Sequence, residues 1–437
     1  MPFCVIKGLT QRVPRKIGPM QAIQEQGLTD QFFAAADTAL AGAKHFRQCR
    51  KLPDGDWIRM GVRRVLGDVR SGREFLQEWN LEADKEIGVV HFFDTASSAR
   101  RLRLVDEVND AIASAMPEHG QSNFSDYDDF AKFEIYAGDG HYIGASAHEK
   151  PIQGKKRPSG HFYALNLRTH AMTHLSASDL ENGKKKSEHD MHALKRLGGK
   201  ALRQGAAKGV KVLYAWDPAG IDIEHWGYWK SQYGVYFLSR AKANLGFVEE
   251  GESPWDREDP VNAGVVSDKR VTTLTGQVLL RWIIYEDPKS GEKYEFITTE
   301  MTIRPGLLAW TYKCRWHIEK TYDTFKNKFG QTKAWGKSEE SKKMQARFVC
   351  LAHNLMILLE AAIGVDDEKE KLRATKRCEA ADNKAKLRGA KFAPQYHNPR
   401  KRTQIAAKFI RWLRHCLASN LSVTQAIRAL RRVYAIF

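Results

Sequence analysis

At 437 residues the chain has room for roughly two to four ordinary domains and a sizeable core. Its 42% hydrophobic and 28% charged residues are those of a globular protein, so the excess of 70 Lys and Arg over 52 Asp and Glu points to a polyanionic partner, not to disorder. Nucleic acid is the first such partner for a net charge of +18, an anionic membrane surface the second, and a basic ribosomal or structural protein the plain alternative.

Six scattered cysteines (Cys4, Cys49, Cys314, Cys350, Cys378 and Cys416) form no Cys-x-x-Cys pair, which argues against a zinc site or a disulfide framework and for reduced, buried thiols of a cytosolic protein. Residues 1–30 carry Lys7, Arg12, Arg15 and Lys16 without a continuous apolar core, and no stretch of about 18 apolar residues occurs, so neither secretion nor membrane spanning is expected. The charge is concentrated: residues 366–437 hold 18 Lys and Arg against 6 Asp and Glu, +12 of the +18.

From Leu28 to Met116 apolar residues recur at three- and four-residue intervals, predicting a helical N-terminal domain. Within it, Thr95 to Arg103 opens a helix on hydroxyl caps and brings Arg100, Arg101 and Arg103 into its first turns. There they oppose the helix dipole, which leaves phosphate contact or a solvated face as their reason. Lys132–Ala137 then alternates as a strand and is expected to run into a tight turn at Gly138-Asp139-Gly140-His141, leaving an acid at the strand's end. Two more strands are predicted from His161 and Met172, a helix over Glu188–Arg203, and a fourth strand, Val210–Trp216, that ends in Asp217. His189 and His192, beside Asp190, read as a solvated helix face, with a metal site as the alternative.

A β-rich segment follows, with strands from Gly234, Gln277 and Tyr294 and a loop over Glu249–Asp256. Beyond Pro305-Gly306, the run Tyr312 to Lys326 is expected to form one helix. At about 100° per residue, Arg315, Glu319 and Lys326 fall roughly 60°, 20° and 40° from Tyr312. A phenol, a guanidinium, a carboxylate and an ammonium thus share a stripe, which suits metal and phosphate chemistry or an ordinary solvated face. A long helix over Ser341–Ala362 is next, then a charged segment, Asp366–Arg388, and basic amphipathic helices over Gln404–Cys416 and Val423–Val433.

Asp139 and Asp217 at neighbouring strand ends, with Glu319 on a helix packed beside them, would let three carboxylates converge. Such a set of oxygen ligands suits two Mg²⁺ about 4 Å apart and an in-line phosphodiester displacement. Each acid also has a plain structural reading: turn former for Asp139 and Asp217, an i,i+4 partner of Arg315 for Glu319.

The spacing Tyr312-x2-Arg315-x3-Glu319-x6-Lys326, with an Asp-Gly-His segment after the first strand and a strand-end Asp, resembles the insertion-sequence-four family of DDE transposases over roughly Phe133–Leu359. The resemblance implies an α/β fold: an RNase H-like catalytic core interrupted by a β-rich insertion, with a helical N-terminal domain and a basic helical C-terminal tail. Its expected divisions are 1–130 (helical, DNA-binding), 131–225 (first part of the core), 226–300 (β insertion), 301–362 (second part of the core) and 363–437 (basic helical region). It implies Asp139, Asp217 and Glu319 as catalytic, metal-binding residues for two Mg²⁺, with Mn²⁺ as a substitute, and Tyr312, Arg315 and Lys326 as DNA-phosphate contacts.

The implied activity is cut-and-paste transposition: cleavage at transposon ends and transfer of the freed 3′-OH into target DNA. Double-stranded DNA with terminal inverted repeats, target DNA and a second copy in a synaptic homodimer would be the partners, with no membrane, in the cytoplasm and at the nucleoid of a prokaryote. A hairpin step helped by one of Trp226, Trp229, Trp255 or Trp282 belongs to some relatives, against core packing for each. The competing readings are another RNase H-fold DNA endonuclease and a domesticated, non-catalytic DNA-binding protein.

Overall fold

The computed structural model describes residues 27–43, 49–67, 71–83, 85–119, 122–151, 158–178, 190–363, 399–419 and 421–434, with isolated residues between them. Lys7, Arg12, Arg15, Lys16, Cys4, Cys378, His189 and most of Asp366–Arg388 lie outside the described residues. Two compact units divide the chain, one of Ala36–Asn354 and one assigned Met1–Ala35 with Leu355–Phe437.

The first unit is mixed α/β. Its sheet has nine strands: β1 (Phe133–Ile143), β2 (Ser159–Asn166), β3 (Met172–Ala177), β4 (Lys211–Ala215), β5 (Val235–Arg240), β6 (Phe247–Glu252), β7 (Val265–Thr273), β8 (Leu279–Glu286) and β9 (Lys293–Thr298). Their order across the sheet is β3-β2-β1-β4-β5-β9-β8-β7-β6. β1, β4 and β5 run parallel, and the other pairs are antiparallel. Parallel central strands need cover on both faces, and accordingly every residue of β2 and nearly every residue of β4 is buried. The core gathers Tyr214, Trp216, Trp226, Trp229, Phe237 and Ile297. Trp226 and Trp229 are core residues of α8 (Ile223–Tyr233), whose C-terminus is closed by Gly234 in the left-handed region at φ 63°.

Several expectations are corrected. Gly138–His141 is no turn: β1 continues to Ile143 and pairs with β2 as far as Ser159. Its glycines had suggested a turn, but a Cβ on Gly138 would fall 1.8 Å from Cζ3 of Trp216, so that glycine makes room for an indole. Glu249–Asp256 is not wholly loop, since β6 runs to Glu252. It lies at the sheet edge with its acids outward, and a strand exposed this way carries no apolar alternation to be read. The helix expected over Glu188–Arg203 is broken at Gly198 (φ 80°) into α6 (Asp190–Leu197) and α7 (Gly199–Leu202).

The helical region before the sheet comprises α1 (Leu28–Gly42), α2 (Asp54–Leu66), α3 (Gly72–Glu82), α4 (Val89–Ala96) and α5 (Ala99–Ala115). Ser98 caps α5, accepting from the Arg101 N–H. Arg100 and Arg101 both pair with Asp54 at the start of α2, and Arg101 is only 3% exposed. Arg100 and Arg101 thus have a reason the sequence did not offer, joining two helices, while Arg103 stays exposed.

In the second unit Leu28 N–H donates to the Leu421 carbonyl at 3.0 Å, and the Trp412 indole donates to the Ala426 carbonyl at 3.0 Å, tying helix Pro399–Ala418 to helix Val423–Tyr434. Among the described residues no helix is long and apolar enough to cross a membrane.

Candidate active site

Register places the two strand acids. Ala137 of β1 stands opposite Ala215 of β4, so Asp139 and Asp217, each two residues further on, occupy equivalent positions beyond the parallel pairing. Ala215 in turn stands opposite Leu238 of β5, which brings Arg240 to the same level on the third strand. Two acids and an arginine therefore share one level across the sheet, where β4 and β5 end while β1 runs on, and where open parallel strands leave a crevice for ligands. Asp217 Oδ1 accepts from the Ala219 N–H at 3.0 Å, and Asp139 Oδ1 from the Gly140 N–H at 2.8 Å. Trp216, fully buried, packs its ring against Gly138, and against Gly220, where a Cβ would come within 2.0 Å of Cδ1.

Facing these ends is the run Tyr312–Lys326, in three pieces instead of one: α9 (Pro305–Cys314), α10 (Trp316–Asp323) and a π-helical turn over Thr324–Lys328. Arg315 links α9 to α10 with helical dihedrals, φ −50° and ψ −34°. The start of α9 is held from two sides, because Arg304 pairs with Asp129 and Asp259, both at 2.7 Å, and the Ile303 carbonyl accepts from Arg281 at 2.7 Å. The π turn, closed by the Phe329 N–H on the Thr324 carbonyl at 2.9 Å, widens the helix where Lys326 leaves it. Lys326 is exposed, and its charge adds to the burial that holds the nearby His141 down to about 4.

Arg315 joins the acids. One nitrogen, Nη2, bonds Glu319 Oε1 at 2.7 Å; another, Nη1, lies 3.9 Å from Asp139 Oδ2; and the guanidinium carbon sits 5.6 Å from the centre of the Tyr312 ring. Its Nε has no hydrogen-bond partner among the described residues. Burial raises the Tyr312 phenol, Arg315 and Arg240 draw it back, and Asp217 raises it again, which sets the phenol among all three. Burial likewise pushes Asp139 up to about 7; the Gly140 N–H and Arg315 oppose that, while Asp217 and Glu319 add to it by repulsion. Asp139 thus registers both other acids, and the structure brings all three into one electrostatic neighbourhood.

An all-oxygen donor set of three carboxylates fits a hard divalent cation. Among the described residues, though, no three His, Cys, Asp or Glu side chains are close enough together to hold a metal ion as they stand. The Arg315 guanidinium supplies the positive charge between two of them. His192 lies exposed on its helix and takes part in no such group.

Two neighbours escaped the sequence reading. Tyr322, one turn beyond Glu319, donates its hydroxyl to the Asp139 carbonyl at 2.7 Å and stacks on His141 at 4.8 Å. The i,i+3 spacing from Glu319 was available, but nothing local tells a tyrosine that grips a strand from one that fills a core. Arg240 is visible only through strand register.

Residues 182–355 match the model of the family described as Transposase DDE domain. The matched stretch is less than half the chain; it contains Asp217, Arg240, Tyr312, Arg315, Glu319 and Lys326, and begins after Asp139. The match supports a DDE transposase, a class of enzyme that acts on DNA. A comparison with curated proteins finds no match.

Proposed function

We propose that this protein is a DDE transposase of the insertion-sequence-four type, cutting DNA at the ends of its own element and joining the freed 3′-OH ends to target DNA. The observation that carries the reading is the shared register of Asp139 and Asp217 opposite Glu319, with Arg315 spanning Asp139 and Glu319. The strand order β3-β2-β1-β4-β5, with β2 antiparallel to β1, supports an RNase H-like core, and β6 to β9 then form its β-rich insertion. On this reading the helical region before residue 131 and the basic region after 362 bind DNA or a second copy.

Asp139, Asp217 and Glu319 would hold two Mg²⁺, which when bound supply a water acidic enough to ionise near neutral pH and charge to offset that of the phosphate. The remaining work belongs to side chains. Tyr312, Arg315, Arg240 and Lys326 ring the acids with donors and positive charge, so a phosphate drawn there is fixed on several sides. Tyr322 ties the Asp139 backbone to the helix bearing Glu319, coupling two of the ligands. No nucleophilic side chain is required, since water and then a DNA 3′-OH do the attacking. Synapsis of two ends calls for a dimer on DNA, in the cytoplasm of a prokaryote.

The test is cleavage of DNA bearing the element's terminal inverted repeats in Mg²⁺. Asp139→Ala, Asp217→Ala and Glu319→Ala should each lower the rate about a thousandfold or more. Parental cleavage by any of the three removes that residue from the site.

A further inference from the structure

The position of Arg315 says more than that the site binds phosphate. A guanidinium and a divalent cation compete for the same carboxylate oxygens, and here the guanidinium bonds one and approaches another: Nη2 on Glu319 at 2.7 Å and Nη1 near Asp139 at 3.9 Å. The side chain is 11% exposed and backed by the Tyr312 ring, so it is built into this place and not resting on the surface. Yet the hold is incomplete. Nε has no partner among the described residues, and the Asp139 contact is beyond hydrogen-bond length. A phosphate can offer a guanidinium two parallel hydrogen bonds at once, which this arrangement of split, single contacts does not.

We infer that Arg315 makes metal loading conditional on DNA: in the free protein it occupies the carboxylates as an internal cation, and a DNA phosphate draws it away and opens them to metal. This rests on the reading of Asp139, Asp217 and Glu319 as metal ligands. It goes beyond phosphate contact, because it makes Arg315 a competitor of the metal when DNA is absent. Linkage then requires the converse, that metal tightens DNA binding by the same factor. A chain of this kind avoids carrying a loaded cutting centre while off DNA.

Calorimetric titration with Mn²⁺ in the absence of DNA tests it, using the parent, Arg315→Ala, Arg315→Gln, and each combined with Asp139→Ala. The neutral variants should bind Mn²⁺ about tenfold more tightly than the parent, within the usual range of coupling between sites. Asp139→Ala should abolish binding in every background. Adding a mixed-sequence DNA duplex at low salt should tighten Mn²⁺ binding more in the parent than in Arg315→Gln. Thermal melts confirm folding, and if Arg315→Ala does not fold, the near-isosteric Gln variant decides alone. Equal Mn²⁺ affinity in parent and variants, with Asp139→Ala still abolishing it, overturns the inference and leaves the metal site standing. Absence of Asp139-dependent binding from every chain overturns the metal reading and this inference with it.

Discussion

Two arginine–carboxylate groups, one buried and one half-buried, pack against the same sheet and do different things. In the outer strands Arg281 of β8 faces Asp268 of β7. Nε and Nη2 bond the carboxylate, Nη1 bonds the Ile303 carbonyl, and Glu300 stands 3.7 Å away. Glu300 is itself engaged by Thr302 and Ile303 backbone N–H groups at 2.8 and 2.7 Å. At the candidate site Arg315 has one short ion pair, one long one and an idle Nε. The first group is saturated, so it can only hold structure; the second keeps donor capacity and lone pairs in reserve, as a site must that exchanges partners.

That contrast is best broken by removing one acid from each. Asp268→Ala strands a buried arginine and should destabilise the fold by about 3–5 kcal/mol in urea unfolding, whereas Glu319→Gln should cost under about 1 kcal/mol. Equal losses would mean that Arg315 is structural after all. A smaller effect is expected from Tyr322→Phe, which deletes the bond to the Asp139 carbonyl. It should lower cleavage about tenfold and weaken Mn²⁺ binding while leaving DNA affinity unchanged, and loss of DNA affinity would assign Tyr322 to DNA contact instead.

Buried histidines elsewhere in the same unit respond to pH. His161 and His353 are held neutral by burial, down to about 3 and about 4, and His174 well below its usual range. Groups lowered in the folded state give stability that is complete above the unfolded value near 6.5 and is lost as pH falls toward the folded values. Unfolding free energy should therefore drop between pH 6.5 and 4, and His353→Gln should flatten that slope. A slope unchanged by the substitution would remove His353 from the set. The smallest effect concerns Lys326, which has no ion-pair partner among the described residues. Lys326→Ala should reduce the salt slope of DNA binding by about 1, and an unaltered slope rules out a phosphate contact there.

The mixed α/β class and the residues Tyr312, Arg315 and Glu319 were legible because their signals are local, lying in strand alternation and in the spacing of one helical run. What escaped depends on partners distant in sequence. Gly138 looks like a turn former until Trp216 is laid against it, and Arg100 and Arg101 look like phosphate contacts or a solvated face until Asp54 is found beside them. Arg240 belongs to the site only by register through two neighbouring strands. The break at Arg315 and the π turn before Lys326 also go unread, because an ideal 100° step assumes an unbroken helix.

The indole of Trp216 lies between Gly138 of β1 and Gly220 of the turn after β4, with no room for a side chain at either. Glycine on each side is what admits the ring, so any change at 138, 216 or 220 alone either leaves a void or forces a strand aside. These three positions should be inherited as a unit: a descendant with a larger residue at 138 is expected to carry a smaller one at 216.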